Sequence, residues 1–426
     1  MSAGLGLRQR HALMVAAMLT LAPAAGAAQQ ADLDALDLAD KTATTTAPAQ
    51  DWRLQLQAAG MHVEPRYTPP DVTGERLSAD FSLDTALSAS SRFVVQDRLD
   101  WTWPAHGQPA EKVNMLKELY ATWSANQDLI LDAGRINARY GVATAYNPTD
   151  FLRAGANRSI VSLSPSALRD NRLGSAMLRA QSLWSGASAT AIYVPKLASA
   201  PSSAPFSADW GATNGTQRWL VAVSPAFGNG FNPQVLLFRQ QGQSVQAGLD
   251  LTQLLNDATT AYLEWSGGKG KSLAAQAGVA RPDRRFRQHV SAGFTYTSAQ
   301  KISLTLEAEY NGAGTDEAGW KALRGGPLAP YQRYRSLVQD EGEYPTRPAA
   351  FAMLTASDIL VLHLDLSAFE RQDLMDKSHL TWLEARYHWT RADLSLQFQR
   401  FQGRRLTDFG ASPQKSMIQL QLSVYQ

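Results

Sequence analysis

The sequence predicts an all-β protein, a transmembrane antiparallel β-barrel of about 16 strands, with 14 to 18 fitting roughly the same pattern. Three observations lead there. The chain opens like an export signal, its later segments alternate apolar and polar residues, and the polar phase carries charges in mid-strand.

At the start, Arg8 and Arg10 precede an apolar run from Ala12 to Ala22, and small residues follow in "PAAGAAQQ". Residues 1–28 therefore read as a signal peptide, since the run is shorter than the roughly 20 residues a spanning helix needs. Residues 29–51, through "DKTATTTAPAQD", read as a short periplasmic or disordered segment, and 52–426 as the barrel.

Charge excludes one class of function. The chain has 40 Lys+Arg against 38 Asp+Glu, and two of the basic residues belong to the leader. The remainder is balanced, so no basic excess points to nucleic acid. With no Cys there is no disulfide to stabilise an exported chain and no site for a lipid anchor. Charged residues are 18%, below the soluble norm of about 25%, while Trp (11) and Tyr (13) are plentiful.

Alternation then decides the class. "TTAYLEWS" sets Ala261, Leu263 and Trp265 against Thr260, Tyr262 and Glu264. "KISLTLEAEYNG" sets Ile302, Leu304, Leu306, Ala308 and Tyr310 against Ser303, Thr305, Glu307 and Glu309. "LTWLEARYHWTRADLSLQFQRF" reads as a hairpin turning near 391–393, and Ile418, Leu420, Leu422 and Val424 form one face of the last segment. Similar segments fall at 77–87, 93–103, 115–124, 128–137, 173–184, 187–195, 217–224, 233–240, 245–252, 273–280 and 287–297. No amphipathic helix of comparable length is apparent, and 311–350 reads as a long polar excursion. Asp97 falls in phase with Val95 and Leu99, which requires a bulge, a strand end or a shifted register there.

A soluble sandwich or propeller would use the same alternation. The barrel is favoured by Arg179, Glu264, Glu307, Glu309, Glu384 and Arg386, which as lumen-facing residues would meet water. It is favoured too by Trp101, Trp103, Trp123, Trp184, Trp219, Trp265, Trp389 and Phe401, placed as interfacial girdles would be. Short turns alternating with long loops fit the two ends of such a barrel.

The stretch "LKELYATWSANQDLILDAGRINARYGVATAYNPTDFLR" resembles a segment of Gram-negative porin-like outer-membrane proteins. There a strand hairpin ends in a Gly-Arg pair, followed by an aromatic-Gly and an Asn-Pro-x-Asp/Asn-Phe turn. "EAEYNGAGTDEAGW" is similar to their strand-to-loop passages. The resemblance is clearest over about a tenth of the chain and implies an outer-membrane channel or exporter. One departure is that Tyr425 is penultimate, where barrels of this kind often finish on an aromatic residue.

Other chemistries find little support. "WSGGKGKS" lacks the phosphate loop's first glycine, because Trp265 stands in its place. No G-x-S-x-G elbow occurs, and His62, His106, His289, His363, His379 and His388 lack metal-ligand spacing. No catalytic residue, cofactor or metal is therefore expected. The candidate constriction is "GRINARYGVATAYNPTDF", where Arg135, Arg139 and Asp150 lie in or beside an irregular stretch reaching about residue 172. Folded inward, such a loop narrows and polarises a pore; left outside, it is a solvated loop.

The expected function is passage of small hydrophilic or amphipathic solutes. The alternatives are a non-conducting structural or partner-binding barrel and, third, an outer-membrane hydrolase. The expected partners are outer-membrane lipid, the barrel assembly machinery and the solute, with no nucleic acid; the oligomeric state stays open.

Overall fold

The computed structural model describes residues 51–68, 70–105 and 108–426, so the expected signal peptide and nearly all of the segment after it lie outside the described residues. Eighteen strands follow in order: β1 (Trp52–Pro65), β2 (Val72–Ser88), β3 (Ser91–Trp103), β4 (Glu111–Ser124), β5 (Leu129–Ile136), β6 (Ser175–Trp184), β7 (Ala187–Val194), β8 (Arg218–Ser224) and β9 (Phe231–Gln240). The second half comprises β10 (Gln246–Asn256), β11 (Thr259–Gly270), β12 (Arg285–Thr297), β13 (Ile302–Asn311), β14 (Pro348–Ala356), β15 (Leu364–Asp373), β16 (His379–His388), β17 (Ala392–Gln402) and β18 (Gln414–Tyr425). Each pairs antiparallel with its sequence neighbours, and β18 pairs with β1 from Gln55↔Tyr425 to Pro65↔Gln414. The sheet closes on itself, which removes the unpaired edges that an open sheet would expose.

Among the described residues the count is 18, two more than the 16 that alternation suggests and at the top of the expected range. Segment 273–280 is a loop with a short helix, α3 (Leu273–Gln276), which follows α1 (Pro165–Asp170) and α2 (Trp210–Thr213). Strands β1, β14 and β15 escape the period-two reading. Strand β14 is apolar on both faces, with Phe351 inside and Leu354 46% exposed. Strand β15 inverts the rule, because Phe369 is buried and Glu370 exposed. The excursion at 311–350 contains α4 (Glu317–Gly325) and α5 (Leu328–Glu341), so a helix of respectable length does exist. Tyr331, Tyr334 and Val338 bury one stripe of α5, three and four residues apart.

Elsewhere the phases fall as expected. Leu306 is 37% exposed on the outer face of β13 and its neighbour Glu307 only 4%. Leu396, Leu420 and Leu422 likewise face outward, opposed by buried Gln397, Gln419 and Ser423. Trp103 ends β3, Trp184 ends β6, and Trp123 and Trp219 lie one residue from a strand end. Trp265 instead sits mid-strand in β11, and Phe401 packs inward against Phe351, Phe369, Leu380 and Trp382. The slip expected at Asp97 is a bulge. Gln96 pairs with Glu118 and Asp97 with Leu116, leaving Lys117 of β4 as the extra residue.

The interior is not uniformly polar. Ile192, Leu220, Leu236 and Phe238 of β7 to β9 form an apolar cluster with Leu152 and Ile136, and a second, aromatic cluster lies on β14 to β16. Those strands therefore read as apolar runs, since both phases are covered.

Candidate functional site

The segment between β5 and β6, residues 137–174, turns into the barrel and crosses it. Gly134 permits the departure, because its φ is +138° and a Cβ there would meet the Leu119 carbonyl at 2.2 Å. Next, the carboxylates of the far wall take up the loop's backbone. Glu264 accepts from the N–H groups of Val142 (2.9 Å), Ala143 (3.0 Å) and Thr149 (2.8 Å). Glu307 accepts from the N–H groups of Thr144 and Ala145, and from the Tyr262 hydroxyl at 2.6 Å. An irregular segment carries its own unsatisfied amides, and a buried carboxylate satisfies them with charge-assisted bonds.

Packing completes the anchorage. Phe151 stacks on Phe238 at 4.7 Å between ring centroids, and Leu152 enters the β7–β9 cluster. On the opposite side Ser159 donates to Asp100 of β3 at 2.7 Å, and Arg76 of β2 donates to the Val161 carbonyl at 3.4 Å. The loop is thus tied from wall to wall. A second strap comes from the 312–347 excursion. The Tyr146 hydroxyl donates to Glu343 at 2.8 Å and lies 2.9 Å from His289 Nδ1 of β12, while Arg153 pairs with the same Glu343. Burial and the Glu343 carboxylate push the Tyr146 phenol well above its ordinary range. Tyr344 packs against Tyr146 with ring centroids 4.5 Å apart and a tilt of 30°, and the Arg371 guanidinium lies over the Tyr344 ring, 3.6 Å from its centroid.

Of the sequence candidates, Glu264 and Glu307 do face inward, but beneath the loop rather than towards open lumen. Glu309 is also inward and 4% exposed. Arg179 pairs with Asp132 at 2.8 Å, and Glu384 with Arg386 at 2.8 Å; Arg386 keeps 37% of its side chain exposed. Asp150 is buried in a 2.6 Å ion pair with Arg172, which also donates to Asn137 at 2.7 Å, so it braces the loop internally. Arg139 pairs with Asp170, and these two remain 29% and 51% exposed.

Arg135 is placed differently from the expectation. It pairs in register with Leu119 and Ala176 on the outer phase, yet is 1% exposed. Strand β5 stops at Ile136 while β4 runs on, and the 195–217 loop fills that seam. Pro205 accepts from the Asn114 N–H at 2.8 Å, Asn214 brackets the backbone of Ala176, and Trp210 covers Arg135 at 4.1 Å. Arg135 is a wall residue, not a constriction residue. Sequence reasoning missed Thr149, Arg153, Arg172 and Glu343, whose roles arise from pairings between distant segments.

Neither a family model nor a curated protein matches the sequence. The fold does match solved structures. OccK8 (OprE) of Pseudomonas aeruginosa aligns at 10% identity and a TM-score of 0.54, over 88% of this chain and 97% of that one. OccAB1 of Acinetobacter baumannii gives 9% and 0.52 over 88% and 96%, and OccK2 (OpdF) of Pseudomonas aeruginosa gives 11% and 0.55 over 88% and 97%. At such identities the likeness is one of fold: this chain's closed antiparallel barrel, 18-stranded among the described residues, is similar in fold to the Occ proteins.

Proposed function

We propose that the protein is an outer-membrane channel for small hydrophilic or amphipathic solutes, narrowed by the loop at 137–174. The observation that carries this reading is the loop's attachment to both sides of the lumen, through Glu264 and Glu307 on one side and Asp100 on the other. A barrel that served only as a scaffold would not need a strap held by buried charges. The fold likeness supports the same reading, since OpdK of Pseudomonas aeruginosa is an outer membrane protein and OccK2 has been solved with glucuronate. Small sugar acids are accordingly the first solutes to try.

In this reading residues 1–28 are removed on export, and the exposed aliphatic band meets lipid after insertion by the barrel assembly machinery. Arg139 and Asp170 supply the part-exposed charges at the narrowing, and Asp150 holds the loop's shape. The apolar clusters inside the barrel favour a second reading, a barrel filled by its loops that binds a partner.

Liposome swelling separates the two. Vesicles containing the purified full chain should swell in isosmotic glucuronate or small neutral sugars, at rates that fall with solute size. Swelling no faster than in protein-free vesicles would sink the channel reading.

A further inference from the structure

The inward loop meets the β10–β11 wall with more acceptors than donors. Asp250 and Glu264 are directly opposite residues of the two strands, 1% and 0% exposed. The Thr149 hydroxyl oxygen lies 2.8 Å from Asp250 Oδ1 and 2.8 Å from Glu264 Oε1. It has a single proton and can donate to only one of them. Asp250 Oδ2 and Asn147 Oδ1 are buried without any hydrogen-bond partner. Asn147, 8% exposed, faces the same small volume. A methyl group at Gly141 would stand 2.6 Å from its Oδ1 and 2.6 Å from Glu264 Oε1.

Nearby guanidinium groups are engaged elsewhere. Arg172 pairs with Asp150, Arg153 with Glu343, and Arg169 donates to the Gly141 carbonyl at 3.5 Å. The N–H groups of Val142, Ala143 and Thr149 serve Glu264 but leave Asp250 Oδ2 and Asn147 Oδ1 unmet. Two carboxylates, a hydroxyl and an amide oxygen withdrawn from water form a hard-ligand set with excess negative charge, which a bound cation would relieve.

We propose that Asp250, Glu264, Thr149 and Asn147 form a calcium site that ties the inward loop to the barrel wall. Calcium suits the set better than magnesium, because it tolerates irregular oxygen geometry whereas magnesium demands a near-ideal octahedron. The site fastens the loop whether or not the barrel conducts, so its test is separate from that of the channel.

The test uses the purified full chain in detergent, stripped with chelator and titrated with calcium chloride from about 10 µM to 10 mM, the span of weak to moderate protein sites. Hydrogen exchange at the amides of residues 141–147 and 149 is read at each step. Wild type should gain protection saturably. Asp250→Asn, which keeps the shape, should need more than about tenfold more calcium, and Asn147→Asp, which adds a charged ligand, should need less. A heat-dependent gel shift, read for each variant, verifies that the barrel has folded. No calcium response in wild type, or an equal response in Asp250→Asn, would overturn the proposal. Protection gained on acidification in place of calcium would show that a proton sits between the two carboxylates.

Discussion

Replacing Glu307 by Ala should release the inward loop without opening the barrel. The carboxylate receives three donors, the N–H groups of Thr144 and Ala145 and the Tyr262 hydroxyl. Glu307 is only 4% exposed, so water reaches these donors poorly once the carboxylate is gone. A buried donor left unmade costs about 1–3 kcal/mol. Three of them, partly relieved by water entering the space of the lost side chain, give about 3–6 kcal/mol. At about 1.4 kcal/mol per decade, even the lower figure makes local detachment about a hundredfold more frequent. The cost falls on the loop, because strand β13 keeps its backbone ladders to β12 and β14. The assay is hydrogen exchange in the folded, detergent-solubilised protein. The amides of Thr144 and Ala145 should exchange at least about a hundredfold faster, while those of β13 stay unchanged. Unaltered exchange at Thr144 and Ala145 would refute the assignment of Glu307 as an anchor. Alternation reads Glu307 only as a lumen-facing residue that would meet water, whereas here its carboxylate lies beneath the loop and holds the loop's backbone.

Other expectations follow from the same geometry. Leu306→Arg places a charge on the outer face and should cost about 2–4 kcal/mol if that position lies at the bilayer midplane, read from urea titrations in lipid vesicles. Asp150→Ala strands the buried Arg172 and should destabilise the loop by about 3–5 kcal/mol, seen as faster exchange at 150–153 with the heat-dependent gel shift retained. Arg139→Ala should move ion selectivity towards cations and Asp170→Ala towards anions, most clearly at low salt; reversal potentials unchanged in both would remove this pair from the pore. Fractionated from a Gram-negative host, the chain should sediment with outer membrane and resist urea extraction, and a periplasmic pool would count against insertion.

The legible part of the fold is the part whose two faces differ. Where a strand shows exposed apolar residues outside and buried polar groups inside, as in 304–309 or 394–399, the period of two appears in the sequence. It vanishes where the inside is itself a core. Strand β14 could not be read because Phe351 packs against Phe369 at 5.5 Å, so both of its faces are apolar. Glu264 and Glu307 were legible as inward carboxylates but not as anchors, since their partners in the loop lie 115 to 163 residues away. Arg135 was misplaced for a related reason. Its phase is set where β5 ends and a distant loop fills the wall, and neither feature has a local signature.

The central claim, that an anchored inward loop narrows a water-filled passage, is tested most directly by single-channel current in planar bilayers. The unmodified chain should give discrete steps, and deleting residues 143 to 151, which removes most of the contacts to Glu264 and Glu307, should make those steps larger. No steps from the unmodified protein, or steps of equal size after the deletion, would contradict the account.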